Sequence, residues 1–129
     1  MSNTETKKQI TKLVINNSIK NNIPTIIFLS TISSTDLMKN IISTLLNKPY
    51  ETDKFTPKDW QKLSDIITLL SKIPVLTKDS ASIKIMVNQA KDFITSMEKR
   101  KGLIIFNTSK TDTIKKLEYG NNIVIKIID

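Results

Sequence analysis

Three apolar runs, separated by stretches of helical periodicity, constrain the fold of this chain more than any other feature. They lie in the segments PTIIFLST, LIIFN and IVIKII, at residues 24–31, 103–107 and 123–128. A run that is apolar on both strand faces is typical of a sheet that helices cover on each side. The runs therefore predict buried strands, and the shorter segment IPVLT at residues 73–77 predicts one more strand.

Helix start and stop signals lie between these runs. Residues 33–36, SSTD, supply hydroxyls and a carboxylate that can cap a helix, and residues 47–49, NKP, should end it. Residues 56–57, TP, form a second start signal, because proline at the first helical position gives up no hydrogen bond. Ser80 is the expected cap of the helix that carries Ile83 to Met97, and Gly102 is its expected terminator.

Each predicted helix has an apolar face that should pack on the sheet. The first helix, at residues 5–22, has a more polar face that either Asn17 or Ser18 completes. The expected face residues, helix by helix, are Ile10, Leu13 and Val14; Leu37, Met38, Ile41, Ile42, Leu45 and Leu46; Trp60, Leu63, Ile66, Ile67 and Leu70; and Ile83, Met86, Val87, Ala90, Ile94 and Met97. A short helix at residues 111–117 and a turn at residues 119–122 should precede the last strand.

The order of these elements determines the predicted architecture. Strands that alternate with helices need crossover connections, and crossovers favour parallel pairing. A length of 129 residues suits one core. We therefore predict a single α/β domain over residues 1–129, with a small three-layer, mostly parallel sheet of about four strands flanked by helices.

The composition excludes several kinds of chemistry. Cysteine and histidine are both absent, which removes disulfides, thiolate nucleophiles, imidazole bases and the zinc sites that these residues build. Catalysis would have to use carboxylates, lysines, hydroxyls or a phosphate-binding loop. The spacing of Asp53, Asp59, Asp65 and Asp79 reveals no paired arrangement of the kind that a carboxylate hydrolase needs.

The formal net charge is +8, from 20 lysines and arginines against 12 acidic residues. Such a charge attracts phosphates and acidic partners over long distances. Arg100 is the only arginine, and specific recognition of phosphates and bases relies on bidentate arginine. The charge therefore predicts weak, non-specific attraction to nucleic acid, although an AT-rich genome also produces a lysine- and asparagine-rich composition.

The sequence gives no sign of a membrane segment. Its longest apolar runs fall far short of the ~20 residues that cross a bilayer. The first ten residues, MSNTETKKQI, lack the apolar core and the cleavage site of a secretory signal. We expect a cytoplasmic protein that makes no membrane contact.

A further pattern is formed by Leu29-Ser30-Thr31-Ile32, the apolar pairs Leu37-Met38 and Ile41-Ile42, the pair Asp59-Trp60, residues 75–80 (VLTKDS), residues 82–97 and residues 103–107 (LIIFN). Taken together, these segments resemble the ATPase domain of DnaB-type hexameric replicative helicases. Their order and spacing match the family over roughly residues 10–107. The resemblance implies a RecA-like fold.

The departures from this family fall on the positions that carry its chemistry. The resemblance places the catalytic glutamate of the family at Thr31 and its magnesium-binding aspartate at Asn107. A phosphate-binding loop needs glycines before a Lys-Ser or Lys-Thr pair, and neither glycine of this sequence precedes one. Lys7 and Lys8 lie near the position of the family's phosphate-binding lysine, without such a loop. We expect Asn107 to be a polar strand end that bonds to neighbouring backbone.

The resemblance and its departures together imply a degenerate RecA-like domain that has no catalytic residues, metal site or cofactor. Such a pseudoenzyme would act through protein contact, either by modulating a replicative helicase in DNA replication or by assembling with itself. The alternative from the residues alone is a small basic protein that binds nucleic acid.

The residues expected to make such contacts are Trp60 and the cations Lys99, Arg100 and Lys101. The structural alternatives are that Trp60 belongs to the edge of the core and that the cations form a solvated helix end. The last strand, NNIVIKIID, is apolar enough to leave an aggregation-prone edge unless it is central, covered or paired. It is therefore a candidate oligomer interface.

Overall fold

The computed structural model of the protein describes residues 3–72, 75–79, 82–97, 100–108, 111–117, 119–120 and 122–128. Its centre is a sheet of four strands, β1 (Thr25–Leu29), β2 (Val75–Asp79), β3 (Gly102–Phe106) and β4 (Ile123–Ile127). Every pairing is parallel, and the spatial order is β2-β1-β3-β4. The predicted α/β class and the parallel sheet are confirmed.

Helices connect these strands and cover the sheet. They are α1 (Asn3–Leu13), α2 (Ser34–Leu46), α3 (Pro57–Lys72), α4 (Ile83–Met97) and α5 (Thr111–Lys115). A π-helical segment, Val14–Ile19, continues α1, and a short 3-10 helix, Thr52–Lys54, lies between α2 and α3. Within the described ranges, no helix combines the length and the apolar character that a bilayer crossing requires.

The two central strands, β1 and β3, are buried along their whole length. Their register aligns Phe28 with Phe106, and the two rings stack with centroids 5.1 Å apart. Both rings are completely excluded from solvent. Continuous apolar runs are needed at these positions because both sheet faces are covered.

One apolar core lies on each face of the sheet. On the first face, α4 and α5 pack against β1 and β3, with Phe93, Phe28 and Phe106 in contact. On the second face, α1, its π-helical extension and α2 pack against the same strands, and Ile27 and Leu37 are among the buried residues. These two cores produce the predicted three layers.

Two helix starts have the caps that the sequence predicts. The Ser33 hydroxyl accepts a hydrogen bond from the Asp36 amide at 3.1 Å at the start of α2. At the start of α3, the Thr56 hydroxyl accepts from the Asp59 amide at 3.2 Å, and the Asp59 carboxylate accepts from the Thr56 amide at 3.0 Å. This reciprocal pair is a capping box. Asn47 ends α2 in the left-handed conformation, with φ of 59°.

Of the two polar residues that could complete the buried face of the first helix, Ser18 is the one that is buried. Ile10, Val14 and Ser18 are buried, and the Ser18 hydroxyl bonds to the hydroxyl of Thr25 at the start of β1. Asn17 instead donates its side-chain amide to a backbone carbonyl one turn earlier, at 2.8 Å. Ser18 therefore links the π-helical segment to the sheet.

Both ends of α4 differ from the prediction. Ser80 lies outside the described residues, and the Ser82 hydroxyl accepts from the Ile85 amide at 3.2 Å at the helix start. The helix ends at Met97, so Gly102 is not its terminator but the buried first residue of β3. A Cβ at Gly102 would lie 3.0 to 3.2 Å from three neighbouring side-chain atoms, so glycine permits close packing here.

The predicted apolar face of α3 is only partly buried. Leu63 and Ile66 are buried, whereas Trp60 is 47% exposed and Ile67 is 54% exposed. The expectation that Trp60 and Ile67 join the packed face is therefore wrong. The helix packs mainly against α2, and a helix covers a narrower stripe than the face of a sheet does.

Candidate functional site

The carboxyl ends of β1 and β3 form the candidate site. The chain leaves β1 towards α2 on one face of the sheet and leaves β3 towards α5 on the other face. Adjacent parallel strands whose connections leave on opposite faces create the crevice in which α/β proteins usually bind ligands. Thr31 follows β1 and Asn107 follows β3, so the two positions singled out by the helicase resemblance meet here.

The side-chain oxygen of Asn107 is surrounded by hydrogen-bond donors from the loop after β1. Its Oδ1 accepts from the Ser30 amide and from the Thr31 amide, each at 3.0 Å, and from the Thr31 hydroxyl at 3.2 Å. Asn107 is completely buried. Three donors around one amide oxygen use its acceptor capacity.

The other polar groups of Asn107 bond to β1 again and to the end of β4. Its Nδ2 donates to the Ile128 carbonyl at 3.1 Å, just beyond β4. Its backbone amide donates to the Phe28 carbonyl at 2.8 Å, and its backbone carbonyl accepts from the Ser30 hydroxyl. Asn107 therefore joins the carboxyl ends of β1, β3 and β4, and the prediction that it bonds to neighbouring backbone is confirmed. We call these contacts the Asn107 latch.

The Asn107 latch does not fit the magnesium ion that ATPases of RecA-like fold use. A metal at Oδ1 would have to displace donors that already satisfy a buried acceptor. The Thr31 hydroxyl donates to the same oxygen and cannot accept a proton from water at neutral pH. Across the described part of the chain, no group of three or more acidic, cysteine or histidine side chains could hold a metal ion.

Lys7 and Lys8 do not form a phosphate-binding site with the latch. Both lie within α1, after its first turn, where the backbone amides are used by the helix itself. A phosphate needs amides that are free at a helix start or in a glycine-rich loop. Neither lysine therefore lies where a phosphate-binding loop would place its lysine.

Trp60 belongs to a partly exposed aromatic cluster with Phe55 and Tyr50. The Trp60 and Phe55 rings meet edge to face with centroids 5.1 Å apart, and Phe55 meets Tyr50 in the same way at 5.8 Å. The Lys39 and Lys48 ammonium groups lie 5.9 Å from the Tyr50 and Phe55 ring centroids, respectively. The segment between α2 and α3 folds so that these rings meet. The spacing of the aromatic residues in the sequence does not predict their contacts.

The predicted cations lie elsewhere on the described structure. Arg100 and Lys101 are exposed between α4 and β3, and Arg100 donates to the Ser96 carbonyl at 3.4 Å. Lys99 lies outside the described residues. No hydrogen bond, ion pair or ring contact between described residues connects Trp60 with Arg100 or Lys101. Within the described residues, Trp60 is therefore not joined to Arg100 or Lys101 by a direct contact.

Lys48 and Asp59 form an ion pair beside the aromatic cluster, with Nζ and Oδ2 2.6 Å apart. The Lys48 hydrogen bond, followed by the bond from the Thr56 amide, lowers the pKa of the Asp59 carboxyl from 3.8 to about 2. A lowered pKa means that the folded state favours the ionised carboxylate. The associated stability is present above pH 3.8 and is lost as the pH falls towards about 2.

Lys48→Met should raise the pKa of the Asp59 carboxyl towards its ordinary value of 3.8 because it removes the strongest hydrogen bond to the carboxylate. The carbon-13 shift of the Asp59 carboxyl, followed by NMR through an acid titration, measures this pKa. Lys54→Met is the matched control, because Lys54 pairs with Glu51 at 2.6 Å. An unchanged Asp59 pKa in Lys48→Met would contradict the assignment.

Comparison with known proteins identifies the fold. No protein-family model matches the sequence, and no curated protein matches it. Among solved structures, the chain is similar to one described as a DnaB-like replicative helicase and its interactions with primase, with a TM-score of 0.73 and 14% sequence identity. The match covers 97% of this chain and 36% of the helicase chain, so this chain spans about a third of the helicase. The likeness establishes a DnaB-like, RecA-like fold.

Proposed function

We propose that this protein is a non-catalytic RecA-like domain that acts through contact with other proteins. The observation that supports this proposal is the Asn107 latch. At the sheet edge where the helicase resemblance places a catalytic glutamate and a magnesium-binding aspartate, Thr31 and Asn107 are neutral and bond to each other. A fold can keep its packing while its site loses the original chemistry.

The hydrogen bonds of Asn107 suit a structural role better than aspartate would. An amide side chain has both a donor and an acceptor, and Asn107 uses each towards a different strand end. A carboxylate at this position would oppose the Ile128 carbonyl with a second oxygen. Asparagine at this position therefore holds the ends of the strands together. The residue at this edge of the sheet does not have to bind a metal ion.

The proposed partner is a replicative helicase or a second copy of this chain. The similar solved helicase was described with its interactions with primase, so a domain of this fold occurs in a protein that contacts other replication proteins. A domain that retains the packing surfaces of such a protein can dock beside its subunits. The fold likeness supports this choice of partner.

Sedimentation velocity tests the proposed contact. The purified chain should either self-associate at micromolar concentration or co-sediment with the replicative helicase of its own cell, without added nucleotide. A chain that stays monomeric and does not co-sediment with the helicase would contradict the proposed function.

Binding of single-stranded nucleic acid is a second candidate function, which the aromatic cluster favours. Trp60 is 47% exposed, and lysines lie beside the neighbouring rings. Aromatic rings next to cations bind single strands by stacking on bases and by attracting phosphates. The net charge of +8 favours the same ligand.

Quenching of Trp60 fluorescence by oligo-dT and oligo-U tests this second function. Binding should weaken steeply between about 50 and 200 mM salt, because each phosphate contact releases a counterion. Tyr50→Ala should weaken the binding if the aromatic cluster carries it. Unchanged fluorescence at the lower salt concentration would exclude this function.

A further inference from the structure

Within the part of the chain that the structure describes, no strand pairs with the outer edge of β4. β4 pairs with β3 on one side and is the last strand of the sheet among the described residues. The Ile128 amide and the Asn122 carbonyl both bond to β3. Because alternate residues of a parallel strand direct their backbone groups to opposite neighbours, Ile125 and Ile127 direct theirs outwards.

The two faces of β4 differ in chemistry. Ile123, Ile125 and Ile127 pack towards the core beneath α4 and α5. On the opposite face, Val124 is 48% exposed and Lys126 is exposed. A strand that continues the sheet beyond β4 would therefore meet an apolar row on one face and a cation on the other.

A groove on the Lys126 side separates β4 from α1. It has a volume of about 410 Å³, and its lining includes Lys12, Leu13 and Asn16 from the helical side. Lys126 and Ile127 line it from the strand side. None of the described lining residues is acidic, and two of them, Lys12 and Lys126, carry a positive charge.

We propose that β4 accepts an extended segment of a partner protein in which apolar and acidic residues alternate. The backbone of this segment bonds to Ile125 and Ile127 as a fifth strand. Its apolar side chains extend the isoleucine row, and its carboxylates face Lys12 and Lys126. Main-chain hydrogen bonds give such strand addition its affinity, and alternate side chains give it specificity. This inference rests on the proposed function, since it names the surface and the chemistry of the contact.

Lys126 also explains why the occupant should be acidic. A lysine on an exposed edge strand discourages pairing with another copy of the same strand, because like charges then approach each other. The same lysine attracts a carboxylate. The edge of β4 therefore disfavours pairing with another copy of the same strand and favours a strand of opposite charge.

An NMR titration of the full chain with the peptide acetyl-Val-Glu-Val-Glu-Val-amide tests this inference. The amide signals of Ile125 and Ile127 should shift. A peptide with lysine in place of glutamate, and an acidic peptide with N-methylated valines, should cause little shift. Lys126→Glu should lower the affinity for the acidic peptide by about threefold to tenfold and raise the affinity for the lysine peptide, because it reverses the charge at the edge of β4.

Lys91→Glu is the matched control, since Lys91 is exposed on α4 and its substitution makes the same charge change. It should leave peptide affinity within about twofold, because it lies on the other side of the sheet. The inference is overturned if the β4 amides do not shift, if both peptides bind equally, or if oligo-dT shifts the same amides equally.

The sedimentation experiment separates this inference from the proposed function. A wild-type chain that co-sediments with the helicase but leaves the peptide unbound would retain the proposed function and overturn the β4 assignment. Self-association at β4 without peptide would also overturn it, because a second copy would then be the occupant. Co-sedimentation that Lys126→Glu weakens and Lys91→Glu does not would support both.

Discussion

Asn107→Asp is expected to lower the free energy of unfolding at neutral pH by about 3 kcal/mol, at the upper end of the cost of leaving a buried polar group without its partner. The variant loses the donor to the Ile128 carbonyl and places a carboxylate oxygen against it. Part of the loss should disappear at acidic pH, since a protonated carboxyl can donate to that carbonyl. Urea unfolding at several pH values, followed by circular dichroism, measures both effects.

The matched control for this prediction is Asn88→Asp, which makes the same chemical change at an exposed position on α4. Its effect should stay within about 0.5 kcal/mol, as is usual for surface substitutions. Equal stabilities of Asn107→Asp and the wild type at neutral pH would contradict the structural role of the latch. That result would mean that the sheet edge accepts a carboxylate, as a magnesium site requires.

Phe106→Ala is expected to destabilise the protein by about 3–5 kcal/mol, because it opens a cavity in the centre of the core. Phe106 is completely buried, stacks on Phe28 and is paired with that residue where β3 lies beside β1. A loss of this size is a large fraction of the ~5–15 kcal/mol that stabilises a typical domain. Thermal and urea unfolding measure it.

Phe55→Ala separates this core effect from the general loss of an aromatic ring. Phe55 is half-buried in the aromatic cluster with Tyr50 and Trp60, away from the sheet. Its removal should cost about 1–2 kcal/mol, since its ring contacts are few and partly solvated. Equal losses for the two variants would contradict the assignment of β1 and β3 as the centre of the fold.

The apolar runs of β1 and β3 made the centre of the fold predictable. Strands that are buried on both faces need uninterrupted apolar residues, and helices on both sides supply the cover. The caps at Ser33 and Thr56 were also predictable, because capping depends on neighbours three residues away. Such features are local in sequence or follow from the composition of a whole element.

The contacts of the candidate site were less predictable, because they join distant parts of the chain. The sequence pointed to Thr31 and Asn107 through a resemblance and predicted that Asn107 would bond to backbone. It did not identify Ser30, which lies 77 residues from Asn107, or Ile128, which lies 21 residues away. Those partners follow from the order of the strands, which a pattern of apolar residues does not specify.

Exposure on α3 shows a second limit of sequence periodicity. The spacing of Trp60 and Ile67 places them beside the buried stripe of Leu63 and Ile66. Periodicity predicts which residues share a face, but the width of the covering surface determines how much of that face is buried. Since α3 packs mainly on α2, the margins of its apolar face remain exposed.

The central claim is that Thr31 and Asn107 hold the sheet together and do not support nucleotide chemistry. A phosphate-release assay with magnesium ATP, with and without single-stranded DNA, tests it most directly. Thr31→Ala is the informative variant, because it removes only the hydroxyl and methyl of an exposed side chain and keeps the Thr31 backbone amide that donates to Asn107, so the fold should remain intact. We predict release at the buffer background for the wild type and for Thr31→Ala. Magnesium-dependent release by the wild type that Thr31→Ala abolishes would contradict the claim.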